Sequence, residues 1–280
     1  MTARKHHVRP KNLTDFEKNL RDDEKSAATI EKYLRDVQAF LVFCSGRGIT
    51  KELALEYKRQ LVDGGQYAVG SINSMLSSIN SFLRFMGWDE CRVKAIKVQR
   101  QLYCSKEKEL TRAEYERLLA VAGEVLRLII QTLCGTGIRV SELAYFTVEA
   151  VRENNVVVTC KKKTRPVYMP KNLRKLLLKY ATEHGITSGV IFRTRNGRPI
   201  DRSNIWAAMK RLCASAHVSP EKVFPHNLRK LFARTFYKLK KDIAKLADAL
   251  GHSSINTTRI YIMTSGAEHR RCVEQLGLVT

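Results

Sequence analysis

The sequence contains no Cys-x-x-Cys pair, and its seven cysteines are scattered singly along the chain. An odd number of isolated cysteines argues against a disulfide framework and against a zinc site, and it favours a reducing cytoplasm. No run approaches the roughly 18–20 consecutive apolar residues that a membrane-spanning helix needs, and the basic start of the chain lacks the apolar segment of a secretion signal. We therefore expect a soluble cytoplasmic protein without a membrane partner.

Two kinds of catalytic pattern are also missing. No cluster of Asp and Glu indicates a two-metal site, and no Gly-rich loop followed by Lys indicates nucleotide hydrolysis. The sequence thus predicts chemistry that uses neither a metal nor ATP, and it predicts no cofactor.

Acidic residues are scarce beside basic ones. The chain has 27 Asp and Glu against 50 Lys and Arg, a formal net charge of +23. This excess is larger than solubility requires, so it favours a polyanionic partner whose phosphates the cations neutralise. Residues 1–100 carry 18 basic and 12 acidic groups and the rest carries 32 and 15, so we expect the second part to make most of the phosphate contacts.

Apolar residues recur at helical spacing in the first 90 residues. They predict four helices: a short one opened by a capping box at Thr14 and Glu17, and three more over about 26–46, 50–64 and 70–87. Such a pattern predicts an all-helical domain over residues 1–90. Residues 91–108 lose the periodicity and gain charge, so we interpret them as an interdomain linker.

The second part, residues 109–280, mixes helical and strand patterns. Thr111 and Glu114 form a capping box, and a buried helix over 125–133 ends at a Gly-rich turn that places Arg139 at the start of the next helix. Strand-like runs flank a basic turn, and further helices follow; the predicted strands cover 156–158 and 166–169, and the helices 171–183, 203–216, 226–239 and 242–250. The predicted fold class is mainly α with a small antiparallel β element.

Three stretches contain residue types that suit one chemistry. They are GIRVSEL over 137–143, PHNLRK over 225–230 and LGHSSINTTRIY over 250–261. In chain order they supply Arg, then His-x-x-Arg, then His, then Tyr. Displacement at a phosphodiester needs a nucleophile, cations on the nonbridging oxygens and an acid for the leaving oxygen. A phenol that attacks phosphorus forms a covalent phosphotyrosyl bond, which stores energy for rejoining.

In wording, order and spacing, these stretches resemble the signature boxes of the tyrosine recombinase, or phage integrase, family of site-specific DNA recombinases. The helices of residues 1–90 resemble the family's core-binding domain, and residues 109–280 its catalytic domain with a carboxy-terminal interaction tail. The resemblance implies double-stranded DNA recombination sites as the substrate, cleavage through a 3′-phosphotyrosyl intermediate, and exchange through a Holliday junction in a DNA-bound tetramer. It also implies a bacterial, phage or mobile-element origin, and it leaves an accessory directionality factor open.

The resemblance implies a role for each residue of the boxes. Tyr261 is the nucleophile, and Arg139 and Arg229 form a cationic clamp on the scissile phosphate. His226 handles the tyrosyl proton, and His252 donates a hydrogen bond to a nonbridging oxygen.

Two further roles come from the same resemblance. The leaving 5′ oxygen takes its proton from a lysine in the hairpin turn, for which Lys161 is favoured over Lys162 and Lys163. Glu142 resembles the family's acidic residue that orients the basic groups of the site. The chain departs from the family at Lys230, where many members have His, and at Tyr168, where Pro is frequent.

Basic residues without a catalytic role are candidates for DNA contacts. They are Lys94, Lys97, Arg100, Lys162, Lys163, Arg193, Arg195 and Lys230. Two other functions stay open: a type IB topoisomerase, which nicks and closes DNA as a monomer, and a DNA-binding regulator without catalysis.

The end of the chain predicts a short helix over 267–276. Cys272, Val273 and Leu276 lie near one another on its apolar side. This stripe either folds back on its own domain or, as the resemblance implies, docks into a neighbouring protomer of the tetramer.

Overall fold

A computed structural model describes residues 5–97, 108–160, 163–262 and 274–275, without the side chains of Cys160 and Lys163. The chain divides into two compact units, Met1–Arg100 and Gln101–Thr280. Within the described ranges, none of the helices combines the length and apolar character that crossing a bilayer requires.

Four helices build the first unit: α1 (Pro10–Asp22), α2 (Ala27–Cys44), α3 (Lys51–Asp63) and α4 (Val69–Phe85), followed by a 3-10 turn at Asp89–Cys91. The predicted start of the first helix is wrong, since α1 begins at Pro10 and Thr14 lies inside it. Proline presets the backbone angle of a first helical residue. The side chain of Asn12 then accepts the free backbone N–H of Arg9 at 2.7 Å.

The core of the first unit lies between its helices. The ring of Phe16 meets Phe82 edge-on at 5.3 Å, and both side chains are fully buried, each stabilising the fold by about 1.5–3 kcal/mol. One charged group enters this core: Asp36 of α2 accepts hydrogen bonds from Lys32 at 2.6 Å and from Ser78 of α4 at 2.9 Å. These bonds satisfy the buried carboxylate and join α2 to α4.

The segment after this 3-10 turn is bound to the first unit. Lys58 of α3 donates to the carbonyl of Lys94 at 2.8 Å, and the side chain of Asn73 exchanges two hydrogen bonds with the backbone of Ile96 at 3.0 and 2.7 Å. Residues 92–97, which the sequence assigned to the linker, thus lie along α3 and α4. The domain boundaries at 90 and 108 remain predictions.

The second unit contains eight helices and one hairpin among its described residues. They are α5 (Arg112–Val121), α6 (Glu124–Thr136), α7 (Val148–Arg152), β1 (Val156–Cys160), β2 (Lys163–Val167), α8 (Lys171–Glu183), α9 (Arg202–Ser215), α10 (Pro225–Lys240), α11 (Ile243–Leu250) and α12 (Ile255–Ile262). A 3-10 helix, Val140–Tyr145, follows α6. The fold is mainly α with a small antiparallel β element, as predicted.

The hairpin differs from its prediction in extent. The two strands pair antiparallel from Val156 opposite Val167 to Cys160 opposite Lys163. The second strand therefore begins three residues before the predicted position 166, because pairing continues up to a two-residue connection, the shortest common hairpin loop. Lys163 belongs to β2, and the connection consists of residues 161–162, which lie outside the described residues.

Helix α6 lies at the centre of the second unit. Ile130 and Leu133 on it are fully buried, and α10, α8 and α5 pack around it. A smaller apolar cluster joins α10, α11 and α12 and includes Leu246, Leu250 and Tyr261. The last three helices therefore form a layer that carries Tyr261 beside the end of α6.

Candidate active site

Arg139 follows a sharp turn at the end of α6. Gly137 has a left-handed φ of 65°, and a Cβ atom there would collide with the ring of Phe232. Only glycine adopts this conformation without strain. The turn makes Arg139 the N-cap of the 3-10 helix Val140–Tyr145, where the sequence predicted the start of a helix.

Glu142 is a buried carboxylate held between two arginines. Its side chain is 3% exposed and accepts hydrogen bonds from the Arg139 guanidinium at 3.0 Å and from Arg165 at 2.8 Å. Arg165 also donates to the carbonyl of Ala249 at 3.0 Å, near the end of α11. The orienting role of Glu142 remains a prediction. Sequence reasoning missed Arg165, since a lone arginine in a strand carries no motif.

Arg229 of α10 is almost completely buried, at 1% exposure. Its guanidinium donates to the carbonyl of Gly137, to the carbonyl of Leu250 at 2.6 Å and to Nε2 of His252 at 3.0 Å. Tyr261 is near enough to raise the pKa of this guanidinium. Arg229 therefore connects the end of α6, the end of α11 and His252 by hydrogen bonds, and it lies close to Tyr261.

Burial is the main cause that lowers the pKa of Arg229, to about 10, and the nearby charge of Arg139 adds to it. This pKa still lies far above neutral pH, so the guanidinium remains charged. With Arg139 and Arg165 it makes the site electropositive, which suits an anion such as a phosphodiester.

Two histidine rings flank the ring of Tyr261. The centroid of His226 lies 5.2 Å from it and that of His252 lies 5.3 Å from it. Desolvation, followed by the charge of Arg229, lowers the pKa of His252 to about 4. Desolvation also lowers the pKa of the more exposed His226, followed by the charges of Lys230 and Arg229. Both rings are therefore neutral near pH 7 and able to accept a proton.

The structure thus places five predicted residues in one network: Arg139, His226, Arg229, His252 and Tyr261. Their parts in catalysis remain predictions. Sequence reasoning also missed Thr258, which is fully buried. Its hydroxyl oxygen lies 2.9 Å from Nδ1 of His252. Its position three residues before Tyr261 on a helix was the available signal.

The lysines of the predicted basic turn are not located. Lys161 and Lys162 lie outside the described residues, and for Lys163 the structure describes only the backbone, paired with Cys160. The choice among the three as the general acid therefore stays a prediction.

The remaining predicted DNA contacts are spread over both units. Lys94 and Lys97 are exposed in the first unit, whereas Arg100 lies outside the described residues. In the second unit Arg195 is exposed, and Arg193 and Lys230 are partly buried. Lys230 is close enough to His226 to lower the pKa of that ring.

Comparison with known proteins adds an independent finding. The model of the phage integrase family matches residues 108–268. The chain is 30% identical to the tyrosine recombinase XerA of Thermococcus kodakarensis over 95% of each chain. It is 28% identical to the tyrosine recombinase XerD of Halalkalibacterium halodurans over 83% of this chain and 86% of that protein.

Solved structures share the fold. The Tn1549 transposon integrase in complex with transposon right end DNA superposes with a TM-score of 0.72 at 16% identity, over 95% of this chain and 99% of that one. A lambda integrase tetramer bound to a Holliday junction superposes with a TM-score of 0.73 at 18% identity, over 91% of this chain and 77% of that one. The chain belongs to the phage integrase family and is a site-specific tyrosine recombinase, an enzyme that cuts and rejoins DNA.

Proposed function

We propose that Tyr261 is the nucleophile of this recombinase. Its phenolic oxygen attacks a DNA phosphorus, a phosphorus–tyrosine bond forms at the 3′ side, and the bond to the 5′ oxygen breaks. The observation that carries this proposal is the position of Tyr261, whose ring contacts two imidazoles and lies near the buried guanidinium of Arg229. Rejoining reverses the step, with a 5′ hydroxyl of DNA as the attacking group.

Arg139 and Arg229 bind the nonbridging oxygens of the scissile phosphate in this proposal. The side chain of Arg139 is 37% exposed, so an incoming phosphate meets it first. Arg229 donates to two carbonyls and to His252, and a guanidinium has five N–H donors, so further donors can serve a phosphate oxygen. Glu142 and Arg165 keep Arg139 oriented from the buried side.

Protons move through the remaining groups. His226, neutral at pH 7 because its pKa is lowered, accepts the tyrosyl proton. His252 donates a hydrogen bond to a nonbridging oxygen. A lysine of the hairpin, Lys161 before Lys162 or Lys163, protonates the leaving 5′ oxygen.

The substrate we propose is duplex DNA carrying two recombination sites, bound by four copies of the chain that exchange strands through a Holliday junction. The net charge of +23 supports binding to a polyanion. The Tn1549 integrase structure contains transposon DNA, and lambda integrase is seen as a tetramer on a Holliday junction. An accessory directionality factor is a further candidate partner.

Replacement of the nucleophile tests the proposal. A suicide duplex, nicked so that the cleaved end diffuses away, should trap a covalent complex with the unmodified protein and none with Tyr261→Phe. Duplex binding should stay within about threefold, because the ring still packs and only the phenolic hydroxyl is lost. Tyr168→Phe, at a tyrosine that is 79% exposed, is the matched control and should form the adduct. An SDS-resistant adduct with Tyr261→Phe would assign the nucleophile elsewhere.

Assays with the unmodified protein distinguish a recombinase from the two alternative functions. Strand exchange between two sites, seen as a new pair of fragments on a gel, is expected of a recombinase. Relaxation of supercoils without such fragments would indicate topoisomerase chemistry, and duplex binding without any adduct would indicate a regulator.

A further inference from the structure

Helix α12 directs two side chains at the same histidine. Tyr261 packs its ring against His252 at 5.3 Å between centroids. One helical turn earlier, the hydroxyl of Thr258 lies 2.9 Å from Nδ1 of His252, and Thr258 is fully buried. Helix α12, which carries the proposed nucleophile, therefore also positions His252, the imidazole predicted to donate to the phosphate.

The other nitrogen of His252 identifies the tautomer. Its Nε2 lies 3.0 Å from a terminal nitrogen of Arg229. A guanidinium only donates hydrogen bonds, so Nε2 must accept, and a neutral ring then carries its proton on Nδ1. That Nδ1–H donates to the hydroxyl oxygen of Thr258. Burial lowers the pKa of His252 to about 4, which agrees with a neutral ring.

This tautomer is unsuited to the step proposed for His252. To donate a hydrogen bond to a phosphate oxygen, His252 needs its proton on Nε2, and Nδ1 must then accept. A carbonyl or carboxylate opposite Nδ1 would oppose that change because it only accepts. A hydroxyl both accepts and donates, so Thr258 is compatible with either tautomer.

We propose that Thr258 is a positioning residue that hydrogen-bonds His252 in two tautomers: it accepts from Nδ1–H in the DNA-free protein and donates to Nδ1 when a DNA phosphate engages Nε2–H. The change releases one proton from Nδ1 to water and takes one up on Nε2, so the charge is unchanged. The second half of this proposal rests on the proposed function, because it needs a phosphate at the site.

Nitrogen-15 NMR of histidine-labelled protein reads the tautomer directly. In the DNA-free protein, the His252 ring should give the Nδ1–H pattern, with its signals assigned by their loss in His252→Gln. Addition of a half-site duplex to protein with Tyr261→Phe, which binds without cleaving, should convert it to the Nε2–H pattern. An Nε2–H ring in the DNA-free protein, or an unchanged pattern with DNA bound, would overturn the proposal.

Three variants separate the hydrogen bond from packing. Thr258→Val keeps the shape but removes the hydroxyl, and it should slow suicide-substrate cleavage about tenfold, as expected for one lost hydrogen bond. Thr258→Ser keeps the hydroxyl and should cleave within about threefold of the unmodified protein. Thr257→Val, at the exposed neighbouring threonine, is the control and should cleave normally. Normal cleavage by Thr258→Val would contradict the proposal.

Failure of the proposed function has a different signature. If the unmodified protein forms no adduct, the chemistry assigned to Tyr261 is wrong, whereas the DNA-free tautomer still tests the bond to Thr258. If Thr258→Val does not fold, Thr258→Ser and the NMR of the unmodified protein still decide the outcome.

Discussion

Arg229 is the largest of the described side chains that are fully buried. A buried charge is costly unless hydrogen bonds satisfy it. The carbonyls of Gly137 and Leu250, with His252, supply those bonds. Arg229 therefore organises the DNA-free site by holding the ends of α6 and α11 and the ring of His252 around one charge.

The identity of the general acid is testable with a modified substrate. Lys161→Ala should slow cleavage of normal DNA far more than cleavage of DNA with a 5′-bridging sulfur, because a thiolate leaves without needing a proton. The measurement is the ratio of the two single-turnover rates, compared with those of Lys162→Ala and Lys163→Ala. Arg139→Ala, which removes a clamp rather than an acid, is the control and should lose rate on both substrates. If Lys161→Ala loses the same rate on both substrates, Lys161 is not the general acid. The acid is then the lysine, Lys162 or Lys163, whose alanine variant regains its rate on the sulfur substrate.

The lowered pKa of His252 predicts a pH dependence of stability. Its pKa is about 4 in the folded protein against an ordinary 6.5, so the unfolded chain binds more protons between these values. Stability should therefore be full above pH 6.5 and fall as the pH drops toward 4. His252→Gln should remove about 1 kcal/mol of this loss, less than the whole shift implies because the ring is only partly buried. Urea unfolding between pH 7 and pH 4 measures it, and equal slopes for both proteins would contradict the prediction.

At this scale, the sequence predicted which residues meet and named Glu142 beside them, but it missed Arg165 and Thr258. Arg139, His226, Arg229, His252 and Tyr261 were identified because their boxes have fixed spacing. Local spacing carries no information about a contact between Arg165 and Glu142, which are 23 positions apart. Which nitrogen of His252 faces Thr258 also depends on Arg229, a residue of another helix.

At the scale of elements, Arg165 joins three of them. It lies on β2, bonds Glu142 in the 3-10 helix and bonds Ala249 of α11. The glycine after α11 makes room for it, since a Cβ atom on Gly251 would collide with the Arg165 side chain. The Leu-Gly-His pattern thus needs glycine for its left-handed turn and for this close approach.

Arg165→Ala should destabilise the second unit. It leaves the carboxylate of Glu142, 3% exposed, with one cation instead of two, and breaking a buried ion pair costs about 3 kcal/mol. Arg139→Ala is the matched comparison, because it removes the other cation. The Arg139 side chain is 37% exposed against 12% for Arg165, so Arg139→Ala should lower the stability less. Urea unfolding measures both. A larger loss of stability for Arg139→Ala would contradict the prediction, because the more exposed ion pair would then contribute more than the buried one.

The boundaries of elements were harder to predict than their existence. The helices from α2 to α4 and from α8 to α11 agree with their apolar spacing to within a few residues. The start of α1 was predicted wrongly because two cap-like patterns lie close together. The helix begins at Pro10, capped by Asn12, and not at the capping pattern of Thr14. The second strand starts early because pairing with β1, a contact between segments, decides its length.

On the scale of the whole molecule, charge differs between the two parts of the chain. Residues 1–100 carry 18 basic and 12 acidic groups, and the rest carries 32 and 15. The larger excess lies in the unit that contains the candidate active site, so that unit should contribute the larger part of the attraction for DNA. Composition alone predicted this, whereas the division of the chain at Arg100 needed the contacts of the folded units.

The last prediction concerns assembly. Residues 263–273 and 276–280 lie outside the described residues, so the predicted tail helix over 267–276 rests on the sequence. Its apolar positions Val273 and Leu276 are unsuited to solvent, so we expect apolar surface of a second copy to cover them. Because the proposed tetramer needs contacts between copies while a half-site needs one copy, deletion of residues 266–280 should spare half-site binding and abolish four-subunit complexes on paired sites.

Native gels and light scattering of the DNA complexes measure this assembly. Replacing both Val273 and Leu276 with Asp should reproduce the deletion by burying charge in the contact, whereas Glu274→Ala, on the predicted polar side, should assemble normally. A deletion protein that still forms active four-subunit complexes would show that the tail folds back on its own unit. The alternative left open by the sequence is then correct, and contacts between other surfaces must hold the protomers together.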